Sequence, residues 1–186
     1  MESTTLTRTP SGKIAYKRWG APDGPKVLAL HGWLDNAASF DGIAPLFPEL
    51  DFVAVDLMGH GLSDHRPPNS VYHFVDTVAL VVEILQALKW EKCFLLGHSM
   101  GGAISVLAAG AFPEKFERLV LIEALGPFSE VPSEAAVRAR RSTELWMKHS
   151  QKKKPVYPSI GEAIKARTAA GGMTEASVRT LVSREL

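Results

Sequence analysis

The chain has 186 residues, enough for one domain with a substantial core and too few for two of ordinary size. Hydrophobic residues make up 46% and charged residues 22%, the balance of a soluble globular protein rather than a disordered or membrane-spanning one. Lys and Arg number 21 against 20 Asp and Glu, so the charge of +1 gives no electrostatic reason to expect nucleic acid or an anionic membrane as partner.

The opening MESTTLTRTP has neither the basic start nor the apolar stretch of a signal peptide, and no apolar run approaches the ~20 residues of a membrane span, so a cytoplasmic location is expected. Residues 12 to 19, GKIAYKRW, alternate Ile14, Tyr16 and Arg18 against Ala15, Lys17 and Trp19, which suits an outer strand with one wetter face. APDGP at 21 to 25 is a turn by its Pro, Asp and Gly chemistry. In KVLALHG, Val27 to Leu30 are apolar without alternation, the mark of a buried strand in a parallel sheet. DFVAVDLMGHG repeats the pattern, a short apolar strand from Phe52 to Val55 and then a Gly-rich loop. From Val75 to Leu88, the spacing of Val75, Val78, Val82, Leu85 and Leu88 predicts an amphipathic helix.

CFLLGH is a further strand, with the single cysteine, Cys93, as a small core residue that cannot form an internal disulfide. A helix from Met100 to Ala111 and a strand RLVLIE at 118 to 123 follow. Alternating strands and helices on short links predict an α/β fold: a mainly parallel sheet with helices on both faces. After Gly126-Pro127 the strands stop. Helices are expected over 133 to 149, after the Ser159–Glu162 capping box up to Gly171-Gly172, and after Thr174 with Val178, Leu181 and Val182 on one side. The expected organisation is a core at 1–127 and a helical lid at 128–186 that runs to Leu186 without a stop signal. Lys152-Lys153-Lys154 reads as a solvated loop.

The chemistry concentrates at Gly97-His98-Ser99-Met100-Gly101. Gly-x-Ser-x-Gly alone is a weak pattern, but between a strand and a helix it marks a nucleophile elbow. Gly97 and Gly101 relieve crowding around a strained serine, and Gly102 and Ala103 let the helix sit close to the sheet. The alternative is a helix start with Ser99 as a plain N-cap. Acyl transfer also needs oxyanion donors: the N–H of Met100, and that of Trp33 in the loop after an earlier strand, where Gly32 permits close approach. The alternative for His31-Gly32 is a turn with the histidine hydrogen-bonded inside it.

LHGWLDNAASFD, VDLMGHGLSDH and LLGHSMGG, in this order and at these intervals, resemble the α/β-hydrolase fold family, and HGWLDNAASF is similar to its serine hydrolase-like group. The match covers roughly residues 10 to 127; the segment after Pro127 resembles the family's lid by position only. The resemblance implies Ser99 as nucleophile, Met100 and Trp33 as oxyanion donors, and a mostly structural role for Asp56, Gly59 and Gly61. Serine at 99 argues against relatives with an aspartate nucleophile, and the lack of His-Gly-Gly-Gly against hormone-sensitive-lipase-like esterases. The expected substrate is a small acyl or ester compound, with no metal or organic cofactor implied and the oligomeric state open.

The family order is Ser, then Asp or Glu, then His. After Ser99 there is no aspartate, and the one later histidine, His149, reads as a surface residue beside the lysine run. His98 belongs to the elbow, and His31, His60, His65 and His73 fall in loops or at a helix start. Glu123, closing a strand after the nucleophile helix, is the candidate triad acid; its other reading is a loop carboxylate bonded to nearby backbone. Glu130, Glu134 and Glu144 read as solvated. The resemblance therefore implies at least two more strands and a closing helix with the histidine beyond Leu186, making this an N-terminal piece, expected to be inactive alone, whose last strand is a sheet edge. Trp33 and Trp146 are candidates to line an apolar pocket, or to pack. The competing function is a non-catalytic binding protein on the same scaffold; a cofactor-free haloperoxidase or a C–C bond hydrolase would share the nucleophile.

Overall fold

The computed structural model describes residues 3–68, 70–127, 129, 131–150 and 155–184, without the side chains of Ser3, Thr4, His149 and Ser150. Glu130, the lysines at 152–154 and the side chain of His149 therefore lie outside the described residues. Among those described, one sheet is built from β1 (Ser3–Thr9), β2 (Gly12–Gly20), β3 (Lys26–Leu30), β4 (Asp51–Val55), β5 (Cys93–His98) and β6 (Phe116–Ile122). Its order is β1-β2-β4-β3-β5-β6. The pairs β3/β4, β3/β5 and β5/β6 are parallel, while β1/β2 and β2/β4 are antiparallel, so the sheet is mixed and mainly parallel.

The continuous apolar runs occupy the middle. Leu28, Ala29, Leu30, Val53, Ala54 and Val55 are fully buried because both sheet faces are covered there. The expected outer strand is not at the edge. β2 has β1 on one side and β4 on the other, and Ile14 through Lys17 are all buried. The outer strand is β1, whose Thr5, Leu6 and Thr7 pair with Tyr16, Ala15 and Ile14. A strand of threonines has no apolar period, and β-branched residues suit a half-wet edge.

Helices α1 (Asp76–Leu88) and α2 (Met100–Ala111) cover one face, packing on Ile14, Leu28, Leu30, Val53, Val55 and Leu95. The buried residues of α1 are Val78, Leu80, Val81, Ile84 and Leu85, turned slightly from the expected stripe; Val82 and Leu88 are half-buried and Val75 is exposed. The opposite face differs from the expectation of α-helices on both sides. Val27, Ala29, Phe52, Ala54 and Leu96 are covered there by Ala37, Phe40 and Ala44, from 3-10 turns at Ala37–Phe40 and Ala44–Leu46. At the far margin Leu119, Val120 and Ile122 of β6 stay exposed, as expected for the last strand in the order.

After a 3-10 turn at Pro132–Glu134 come α3 (Ala135–Ser150), α4 (Ile160–Ala169) and α5 (Glu175–Ser183). Ser159 accepts from the Glu162 N–H and Thr174 from the Ser177 N–H, the caps expected from the sequence. α4 and α5 pack on each other, and α5 rests on the Ala37–Phe40 turn with Val178 and Leu181 buried. α3 is exposed along its described length; Glu134, Glu144 and Trp146 all face solvent.

At the amino ends of the central strands, the buried Asp51 carboxylate accepts from Arg18 Nε and Nη2 at 2.6 and 2.7 Å and from Lys26 Nζ at 2.8 Å. These bonds tie β2, β3 and β4 together at that end. Cys93, at the start of β5, is buried, and burial pushes its thiol up to about 12. We therefore expect an aromatic disulfide reagent at pH 8 to leave the folded protein unlabelled. Labelling should track urea unfolding measured by circular dichroism, and rapid labelling of the native form would contradict the burial.

Candidate active site

The turn from β5 into α2 places Ser99 at φ +50° and ψ −113°, outside the regions a side-chain-bearing residue favours. Such backbone costs about 1–3 kcal/mol and persists only where the surroundings enforce it. They do so here. The Ser99 N–H donates to the Ile122 carbonyl of β6 at 2.9 Å, its carbonyl accepts from the Ala103 N–H at 3.1 Å, and the Gly101 N–H donates to the His31 carbonyl at 3.1 Å. The glycines allow main chain to press on main chain. A Cβ at Gly101 would lie 2.1 Å from the Leu30 oxygen, and one at Gly97 2.4 Å from the Gly101 oxygen.

Ser99 occupies the N-cap position of α2, yet its hydroxyl makes no capping bond, unlike those of Ser159 and Thr174. The residue is exposed. The bland reading of this serine as a helix cap is thus not what the side chain does.

The Gly101–His31 bond also brings the two expected amide donors into neighbouring segments. Met100 precedes Gly101, and Trp33 lies two residues after His31. Among the described residues neither the Trp33 N–H nor the Met100 N–H donates a hydrogen bond within the chain. The Trp33 side chain is 64% exposed, its ring edge-on to His60 with centroids 5.8 Å apart.

Beneath this loop the polar groups are consumed. His31 is fully buried; its Nε2 accepts from the Leu57 N–H at 2.9 Å, so Nδ1 carries the proton and donates to the Gly32 carbonyl at 2.7 Å. Burial lowers His31 to about 4, the Gly32 bond opposing and His60 adding to the shift, so it is a neutral structural histidine. Asp56 is fully buried and accepts from the N–H groups of Ala37 at 2.7 Å and Leu62 at 2.9 Å. It also pairs with Arg184 Nε at 2.9 Å. A Cβ on Gly61 (φ +51°) would meet the Asp56 carboxylate at 2.4 Å. The structural role that the resemblance implies for Asp56 and Gly61 has its physical cause in these contacts.

Glu123 follows β6 at φ +52°, next to the Ile122 carbonyl that anchors Ser99. Its side chain is 81% exposed, with Oε2 3.7 Å from His98 Nε2. The other ring nitrogen of His98 lies 3.8 Å from Asp35 Oδ2, and Asp35 Oδ1 accepts from Arg167 Nη2 of α4 at 3.0 Å. Asn36 Nδ2 donates to the Leu181 carbonyl of α5 at 2.9 Å. Sequence reasoning passed over Asp35, Asn36, Arg167 and Arg184; the one local signal was the polar Asp35-Asn36 pair directly after the turn.

A cavity of about 490 Å³ is lined by His98, Asp35, Phe40, Ile122, Met173 and Leu181 among others. Ser99, Trp33, Met100 and Trp146 do not line it. Among the described residues no group of three or more His, Cys, Asp or Glu could hold a metal ion, and no helix is long and apolar enough to cross a membrane.

Comparison with known proteins agrees with this architecture. Residues 25–148 match the alpha/beta hydrolase fold family. The chain belongs to that family. Within it, the chain is 36% identical to a probable serine hydrolase of Drosophila melanogaster over 182 residues, which is 94% of this chain and 55% of that protein. It is 45% identical to a human serine hydrolase-like protein over 115 residues, 61% of this chain and 57% of the relative. The crystal structure of a selenomethionine-substituted hypothetical protein from Pseudomonas aeruginosa is 39% identical, with a TM-score of 0.91 over 97% of this chain and 64% of that one. The alpha/beta hydrolase chain thus spans little more than half the length of the two curated relatives.

Two stability measurements test the local geometry. Ser99→Gly should raise stability by about 1 kcal/mol by releasing the positive φ, whereas Ser159→Ala, which removes a working cap, should lower it by about 1 kcal/mol. Opposite signs are the expected result of urea titrations; a destabilising Ser99→Gly would mean the turn is relaxed. For His31, the unfolded chain takes up a proton near pH 6.5 and the folded one only near pH 4. Stability should therefore fall as pH drops through that window, by up to about 3 kcal/mol. His31→Gln should flatten this part of the profile.

Proposed function

We propose that the whole protein is a serine hydrolase of carboxylic esters or related acyl compounds, with Ser99 as nucleophile. The observation that carries this reading is a strained, exposed serine whose hydroxyl does not cap the helix it begins. The family membership and the serine hydrolase-like relatives support it.

In this reading the Ser99 Oγ attacks the acyl carbon while a general base takes its proton, and the carbonyl oxygen becomes an oxyanion facing the N–H groups of Trp33 and Met100. Two amides with no acceptor among the described residues are what such a site requires, since each donor is typically worth ~2.7–4 kcal/mol in the transition state. Collapse of the intermediate expels the alcohol, which takes the proton from the base, and water then releases the acid by the same steps. Glu123 is proposed as the triad acid because it leaves β6 beside the carbonyl that holds Ser99. The base is proposed to be a histidine outside these 186 residues. His31 is buried and neutral with both ring nitrogens occupied, and His98 lies between two carboxylates. The proposed organisation remains a core at 1–127 and a lid at 128–186.

A fluorophosphonate probe should label the full-length protein at one site, and Ser99→Ala should abolish both labelling and turnover of p-nitrophenyl esters. Labelling that survives in Ser99→Ala would reject the nucleophile. A well-folded wild-type protein that neither labels nor turns over would favour the non-catalytic binding reading.

A further inference from the structure

Asp35 stands at the meeting point of the segments that carry the site. It belongs to the loop of Trp33, and its Oδ2 is 3.8 Å from His98 Nδ1, the residue immediately before Ser99. The contact depends on Gly32, where a Cβ would lie 3.0 Å from His98 Nδ1 and 3.1 Å from Asp35 Oδ2. The Asp35 side chain is only 12% exposed, so its negative charge is poorly screened by water. The cation facing it at 3.0 Å comes from α4, as Arg167. A fixed negative charge two residues from the Trp33 amide would oppose the negative charge that develops on the substrate oxygen. Arg167 supplies the opposite charge, and it is itself half-buried and held by the α4–α5 pair. The same pair grips the loop a second time through Asn36 and the Leu181 carbonyl.

We propose that Arg167 is a positioning residue of the hydrolytic site: by pairing with Asp35 it fixes the loop of Trp33 and cancels the carboxylate charge beside the forming oxyanion. The helical segment then takes part in the chemistry through charge balance. This inference rests on the serine-hydrolase reading of Ser99. It separates two roles for one ion pair. A latch that only holds a lid would fail whichever partner is lost, and would fail further when both are changed. A charge-balancing pair is most damaged when Arg167 goes and Asp35 remains, and is partly restored when both charges are removed together.

The test uses the full-length protein and p-nitrophenyl butyrate. Arg167→Ala should lower kcat about 10- to 100-fold with KM within about threefold of wild type, the signature of an interaction made in the transition state. Arg167→Lys should recover part of the loss, and Asp35→Asn alone, which slackens the loop but leaves no unbalanced carboxylate, should lower kcat by about 2- to 5-fold, less than Arg167→Ala. The double variant Asp35→Asn/Arg167→Ala should be more active than Arg167→Ala by about 5-fold or more. An unchanged kcat in Arg167→Ala, a rise in KM alone, or a double variant no better than the single one would overturn the proposal. Melting curves identify variants that fail to fold; Asp35→Asn, near-isosteric, then carries the test, and a loss there as large as 10-fold would also overturn it. Ser99→Ala run in parallel keeps the two readings apart: if that variant retains turnover the site reading itself is lost, whereas inactive Ser99→Ala beside fully active Arg167→Ala removes this inference alone.

Discussion

The first turn of α2 presses against the end of β3 so closely that only main chain fits between them. A Cβ at position 101 would stand 2.1 Å from the Leu30 oxygen, and the Gly101 N–H is already bonded to the next carbonyl, that of His31. That contact dictates much of the rest. It demands glycine at 97 and 101, and with the bond from the Ser99 N–H to Ile122 it locks the serine at a positive φ. It also sets the Met100 and Trp33 amides on adjacent segments. The strain of about 1–3 kcal/mol is small against the burial of four central strands, so the sheet can impose it.

A second regularity concerns what is left over. Below the loops, three buried polar side chains have defined partners: His31 with the Leu57 N–H and the Gly32 carbonyl, Asp56 with two amides and Arg184, Asn36 with the Ala38 N–H and the Leu181 carbonyl. Buried polar groups without partners are costly, so this saturation holds the loops rigidly. Above them stand a hydroxyl that does not cap its helix and two amides with no acceptor among the described residues. Rigid support thus lies below, and unused hydrogen-bonding capacity above, at the candidate site.

Most of the sheet was legible because burial on both faces writes itself as unbroken apolar runs: VLAL, FVAV and FLL marked β3, β4 and β5. The caps at Ser159 and Thr174 were legible because capping is local chemistry. β1 was not, since its threonines show no period and its order comes wholly from pairing with β2. Nor was the cover of 3-10 turns on the second face, where Ala37, Phe40 and Ala44 are too few to make a helical stripe. In the site, Ser99 and its glycines declared themselves through a strand–turn–helix context. Asp35 and Arg167 could not, being 132 residues apart, and the same holds for Asp56 and Arg184 at 128. Such pairs depend on how the late helices dock, which no local pattern encodes.

The Asp51 cluster sits where β3 and β4 begin, whereas Leu30, Val55 and His98 end their strands on the side of the strained turn. Five-residue strands rising ~3.3 Å per residue put roughly 15 Å of packed side chains between the two, beyond the distance over which substitutions ordinarily influence one another. One rim of this molecule thus works as a clasp and the other carries the candidate site. Substitutions in the loops around Ser99 leave the clasp intact, and reinforcing the clasp leaves the geometry of those loops undisturbed.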